Sequence, residues 1–159
     1  KAGVDILSFG ATKGGALAAE AIVVFDRARA DSMHERRKRG GHLVSKHRFL
    51  AAQFEAYLAD DNWLAWARHA NRMADRLAGK LASQGLTPVW PVEANLVFVV
   101  LPAKIHARLS AAGAAYYARR SASMPGGTAL APGDVLARLV TSFATTETEV
   151  DRFAELASG

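Results

Sequence analysis

The chain has 159 residues, half of them hydrophobic and 22% charged, with a net charge of +5 and no cysteine. That length and apolar content allow one good core, or a small domain plus part of another. The missing cysteine excludes a disulfide framework and a thiolate metal site. No apolar run approaches the roughly 20 residues a membrane helix needs, so no membrane partner is expected. The N-terminal KAGVDILSF has no secretory-signal pattern, which makes the cytoplasm the expected location. The chain opens without a methionine, directly into a strand candidate, and is expected to be a portion of a longer chain.

In chain order, VDILSF and EAIVVF (residues 20–25) read as two short strands separated by the loop GATKGGALAA. Asp26 is a helix N-cap candidate, and no breaker follows until Gly40-Gly41, which predicts one helix up to Arg39. LVSKHRFLAAQFEAYLA predicts a second helix, with Leu43, Leu50, Phe54 and Leu58 on one face. Asp60-Asp61-Asn62 offers caps for a third, long helix. Its buried stripe is expected at Ala67, Ala70, Ala74, Leu77 and Leu81, and Gly85 closes it.

The period then changes. TPVWPVEANLVFVVLP predicts two strands around residues 93–95, AKIHARLSAAG a helix, and AAYYARR a strand that runs into the loop SMPGGTALAPGD. VLARLVTSF predicts a further strand, and TTETEVDRFAELAS a helix capped by Thr145 or Thr146. From about residue 60 onward the pattern is α+β, with helices on one face of a largely antiparallel sheet. The junction at residues 60–62 is the expected domain boundary: a domain at 1–60 and an α+β domain at 61–159.

Charge is concentrated between Arg27 and Arg48, where eight Lys or Arg face only Asp31 and Glu35. Such a block serves as a solvated helix face or subunit contact, as a phosphate or carboxylate site, or as a nucleic-acid footprint. Aromatic residues are not interleaved with it and no nucleic-acid-binding motif surrounds it, so no nucleic-acid partner is expected. His34, His42 and His47 lack nearby carboxylates at ligand spacing, and no metal is expected.

Lys13 is a lone cation among Gly, Ala and Thr in a run that reads as buried. It precedes Gly14-Gly15, whereas a P-loop places lysine after its second glycine and before a hydroxyl residue, so a nucleotide loop fails. Two readings remain: a structural lysine snorkelling out of a turn, and an amine used chemically. In the second, burial disfavours the ammonium and makes a nucleophile for a carbonyl. Gly10, Ala11, Gly14 and Gly15 would then admit a planar cofactor close to the backbone, with Thr12 offering a hydroxyl to its phosphate.

Five blocks in order, DILSFGATKGGALAAEAIVVFD, RRKRGGHLVSKHRFLAAQ, ARHANRMADRLA, PVEANLVFV and ARLVTSFATTETEVDRF, resemble the low-specificity L-threonine aldolases of the beta-eliminating lyase group. The resemblance implies an α/β enzyme of pyridoxal-phosphate fold type I, aminotransferase-like. It also implies that 1–60 is the end of the large cofactor domain and 61–159 the small C-terminal domain. By the same resemblance, Lys13 is the catalytic lysine that carries pyridoxal 5'-phosphate as a Schiff base. Thr12 is a phosphate ligand, Lys38 and Lys46 are cations presented toward a cofactor pocket, and Arg138 binds the substrate α-carboxylate. The implied activity is aldol cleavage of L-threonine and related β-hydroxy-α-amino acids to glycine and an aldehyde, with the alternatives of another lyase or transaminase reaction on the same fold, or of a non-catalytic basic binding module. The implied assembly is a homodimer or homotetramer. Many relatives have asparagine where this chain has Gly14, a departure that leaves backbone room. The family's ring-stacking histidine and ring-nitrogen aspartate lie earlier in the chain than any residue here.

Overall fold

The computed structural model describes residues 2–119, 124, 126 and 129–158. They divide into two compact units, Lys1–Ala65 and Trp66–Gly159.

The first unit begins with an antiparallel hairpin of β1 (Ile6–Gly10) and β2 (Glu20–Val24), in a register that pairs Ile6 with Val24 and Gly10 with Glu20. The predicted single helix after Asp26 is two: α1 (Arg27–Ala30) and α2 (Met33–Arg39), separated by a turn at residues 31–32. Asp26 does cap α1, its Oδ1 accepting the Ala28 N–H at 3.0 Å. Ser32 begins α2 without a side-chain cap. The next helix, α3, spans Arg48–Leu58 and starts five residues later than its apolar spacing predicted. The reason is local: the His47 ring nitrogen accepts the Val44 N–H at 3.3 Å, which folds residues 44–47 into a turn. Leu43 is therefore off the helix and exposed.

Phe9 of β1 gathers the unit's aromatic residues. Its ring stacks on Phe54 at 5.9 Å, lies 6.2 Å from Tyr57, and meets the edge of Trp63 at 5.9 Å. Asp60 and Asp61 both adopt positive φ, which carboxamide and carboxylate residues tolerate better than most. The chain thus kinks between α3 and α4 (Asn62–Ser83), and the division between the units falls inside α4, at Ala65.

The second unit is an antiparallel sheet in the order β3 (Leu96–Leu101), β5 (Val135–Val140), β4 (Tyr117–Arg119), with α4, α5 (Ala103–Ala111) and α6 (Glu147–Ala157) supplying helices. Strict alternation puts Val97, Val99 and Leu101 into the core opposite Leu139, Ala137 and Val135. The helices contribute Met73, Ala74, Leu77 and Leu81 from α4, Leu109 from α5, and Val150 and Ala157 from α6. Ala67, expected in this stripe, is exposed, and Met73 takes the inward position instead.

Gly85 closes α4 with φ of +84°, and the Leu86 N–H reaches back to the Leu81 carbonyl at 2.9 Å. Only a residue without a Cβ adopts that conformation at no steric cost. The first of the two strands predicted around residues 93–95 is reduced to one bridge, Pro88 with Val99, because two prolines interrupt it. Thr146 caps α6 in a reciprocal box with Glu149. Arg76 of α4 grips Asp151 of α6 through two bonds of 2.9 and 2.8 Å, with Lys80 3.2 Å away on the same carboxylate. The predicted loop at residues 123–134 lies partly outside the described residues.

Candidate active site

In the first unit the loop between β1 and β2 is folded around Ala11. Its N–H donates to the Ala19 carbonyl at 2.8 Å, and its carbonyl accepts the N–H groups of Gly14 and Ala16, both at 3.0 Å. Ala11 and Ala19 are completely buried, so side chains larger than methyl do not fit there. Thr12, Lys13 and Gly14 form a single tight helical turn, followed by Gly15 at φ of +124°.

The run that reads as buried is only partly so. Lys13 is exposed, as is Leu17. The small residues serve the tight turn at least as much as a buried wall. Among the described residues no carboxylate pairs with Lys13. It sits on a turn with glycine on its C-terminal side.

Thr12 beside it is committed. Its hydroxyl accepts the Ala19 N–H at 3.2 Å and donates to Glu20 Oε1 at 3.0 Å. The Glu20 carboxylate lies where a Cβ on Gly10 would be, with Cδ 2.8 Å from that position, so glycine at residue 10 is what admits it. From α3, Gln53 Oε1 accepts the N–H groups of Leu17 and Ala18 at 2.9 and 3.1 Å, pinning the far side of the loop. Tyr57, one turn further on, fills the space above Gly14: a Cβ there would lie 2.9 Å from Cζ and 3.0 Å from Cε2 of its ring. Glu20, Gln53 and Tyr57 escape sequence reading. The spacing of Gln53 and Tyr57, one turn apart on α3, is the one signal that could have joined them.

Lys38 lies exposed on α2, and Lys46 is exposed in the turn before α3, its carbonyl accepting the Phe49 N–H at 3.1 Å. Within the basic block only Arg29 is ion-paired among the described residues, to Asp26 at 3.0 Å and Asp5 at 3.9 Å. The other seven cations of the block keep their charge available.

In the second unit Arg138 is half-buried on β5, on the sheet face opposite the core residues Ala137 and Leu139. The register sets it opposite Phe98 on β3 and Tyr117 on β4. Its guanidinium carbon lies 5.6 Å from the centre of the Tyr117 ring. Trp90 meets the Phe98 ring edge-on at 5.2 Å. Among the described residues Arg138 has neither an ion pair nor a side-chain hydrogen bond.

The first unit thus carries an exposed amine on a glycine-bounded turn, and the second an arginine on a strand that is unpaired among the described residues. The family model of the beta-eliminating lyases matches residues 1–104, and the chain belongs to that family. It is similar to the low specificity L-threonine aldolase of Pseudomonas aeruginosa, 47% identical over 118 residues, covering 74% of this chain and 34% of that protein. It is also similar to the low specificity L-threonine aldolase of Pseudomonas sp. strain NCIMB 10558, 45% identical over 100 residues, covering 62% and 29%. Among solved structures, Leishmania major threonine aldolase matches with a TM-score of 0.86 and 30% identity over 96% of this chain and 42% of that one. The fold is thus the mixed α/β fold expected from the sequence, that of a fold type I enzyme. The chain spans about a third of the length of the curated relatives it matches. Among the described residues no helix is long and apolar enough to cross a membrane.

Proposed function

We propose that this chain is the C-terminal portion of a pyridoxal-phosphate-dependent lyase. The reaction is cleavage of L-threonine and related β-hydroxy-α-amino acids to glycine and an aldehyde. The observation that carries the reading is the 47% identity to a low specificity L-threonine aldolase. Lys13 has no carboxylate partner among the described residues, which leaves its amine uncommitted, while its exposure means that the burial expected to disfavour the ammonium is not supplied by this unit. When bound, pyridoxal phosphate supplies an electron sink for the pair released from the Cα–Cβ bond.

The residues present fit that group. Lys13 offers the amine that holds it, exposed on a tight turn that Gly15 closes at φ of +124°. Thr12 serves its phosphate once the hydroxyl proton turns from Glu20. Lys38 and Lys46 supply cationic charge, from this chain or from a neighbouring copy in a homo-oligomer. Arg138 orients the substrate carboxylate through two parallel N–H donors, a role lysine fills poorly. Residues 1–60 then belong to the large cofactor domain and 61–159 to the small one, in a cytoplasmic enzyme.

The test is borohydride trapping of the encoded protein incubated with pyridoxal phosphate, followed by peptide mapping and by assay of glycine and aldehyde release. Stoichiometric reduction at Lys13, with turnover abolished in Lys13→Ala, is the expected result. Labelling scattered over surface lysines, or a Lys13→Ala protein of unimpaired activity, overturns the reading.

A further inference from the structure

On the sheet face that bears Arg138, the described residues supply aromatic rings where a carboxylate would ordinarily stand. Antiparallel pairing sets Tyr117, Arg138 and Phe98 side by side across three strands, so their side chains leave the same face. Tyr117 places its ring under the guanidinium at 5.6 Å, inside the range of cation–π attraction. The Phe98 ring packs against Trp90 in a T-shaped pair at 5.2 Å, and its backbone carbonyl accepts the Val89 N–H at 2.7 Å.

This arrangement has a directional consequence. A guanidinium that stacks on a ring engages it through its flat face, whereas it grips a carboxylate through N–H groups that lie in its plane. The two contacts use different parts of the group and do not compete. An Asp or Glu in place of Tyr117 would occupy the same N–H edge a ligand needs. Arg138, with no acidic partner among the described residues, keeps that edge unspent.

We infer that Tyr117, working across β5 from Phe98, is a positioning residue that holds the Arg138 guanidinium by its face so that its N–H edge stays free for the α-carboxylate of the amino acid. The inference rests on the proposed role of Arg138, and the experiment separates the two. Tyr117 is exposed on the short edge strand β4. Its replacement removes a ring from the surface and leaves the core intact.

Four variants of the encoded, cofactor-loaded protein are compared: Tyr117→Leu, Tyr117→Thr, Tyr117→Phe and Arg138→Ala. Glycine binding is measured by calorimetry, KM and kcat for L-threonine by assay, and folding by thermal melting. Threonine keeps high strand propensity, so at least one ring-free variant should fold. The expected result is glycine binding weakened, and KM raised, by about two- to five-fold in the two ring-free variants, with kcat changed less. Tyr117→Phe, which keeps the ring face, should match the parent, and Arg138→Ala should lose glycine binding almost completely. Parent-like glycine binding in Tyr117→Thr beside a loss in Arg138→Ala overturns the positioning role and leaves the role of Arg138 standing. Tyr117→Phe as impaired as Tyr117→Leu assigns the effect to the hydroxyl and also overturns it. Parent-like binding in Arg138→Ala overturns the carboxylate role itself, and the positioning role with it.

Discussion

The hydroxyl of Thr12 donates to the carboxylate of Glu20 at 3.0 Å while accepting the Ala19 N–H at 3.2 Å, so one side chain ties together both ends of the loop that presents Lys13. Ala19 is buried, and its N–H has no easy recourse to water. Thr12→Val should therefore cost about 1–2 kcal/mol of stability in urea unfolding, and Thr12→Ser much less. Glu20→Gln keeps an acceptor for the hydroxyl but removes a negative charge beside a site proposed for phosphate. Cofactor uptake followed by absorbance should tighten several-fold in that variant, the Coulomb term being about 1 kcal/mol at 4 Å in water. Unchanged or weaker uptake would place the phosphate away from Thr12.

Gly14 and Tyr57 compete for one space. Gly14→Asn should destabilise the protein by about 1–3 kcal/mol, because the Tyr57 ring is held among Phe9 and its neighbours and cannot simply step aside. Gly14→Asn combined with Tyr57→Leu should recover part of that loss relative to the sum of the single changes. Additive losses in denaturant melts would show that the two positions are not coupled.

Gln53 holds the Leu17 and Ala18 N–H groups from α3. In Gln53→Ala both amides should exchange with solvent markedly faster than in the parent, with global stability lowered by about 1 kcal/mol or less, since water can replace an acceptor at an exposed loop. Gln53→Glu keeps the acceptor and should retain the protection. Hydrogen exchange read at these two amides checks both expectations.

The Arg76 side chain bonded to Asp151 holds its carboxyl at about 2, below its usual 3.8, with Lys80 adding to the effect. Glu149 is lowered too, chiefly by the Thr146 backbone N–H it accepts. A carboxyl depressed by folding stabilises the protein fully above its unfolded value. That contribution fades as pH falls from about 3.8 through about 2. Asp151→Asn should therefore flatten the acid limb of stability between those values, as followed by circular dichroism against pH. An acid limb identical to the parent's would remove Asp151 from the account.

The helix and strand periods of the chain were legible wherever one face of an element packs and the other does not. The alternation of β3, the stripe from Ala70 to Leu81 and the cap of α6 could all be read in that way. Where a side chain overrides local propensity, reading fails. A His47 ring nitrogen on the Val44 amide delays α3 by five residues, and a turn splits α1 from α2, and neither leaves a periodic trace.

Of the candidate site, the sequence by itself singled out the residues proposed to carry the chemistry. Lys13 and Arg138 stand out through five blocks of family resemblance in chain order, since a lone lysine in a turn or a lone arginine on a strand more commonly has a structural role. Only the tertiary structure decided what surrounds them. Glu20 reaches Thr12 through hairpin register, Gln53 and Tyr57 reach the loop from a helix more than thirty residues away, and Arg138 meets Tyr117 across a strand pair. Such partners are set by strand pairing and by packing over long separations, and no local period in a sequence encodes them.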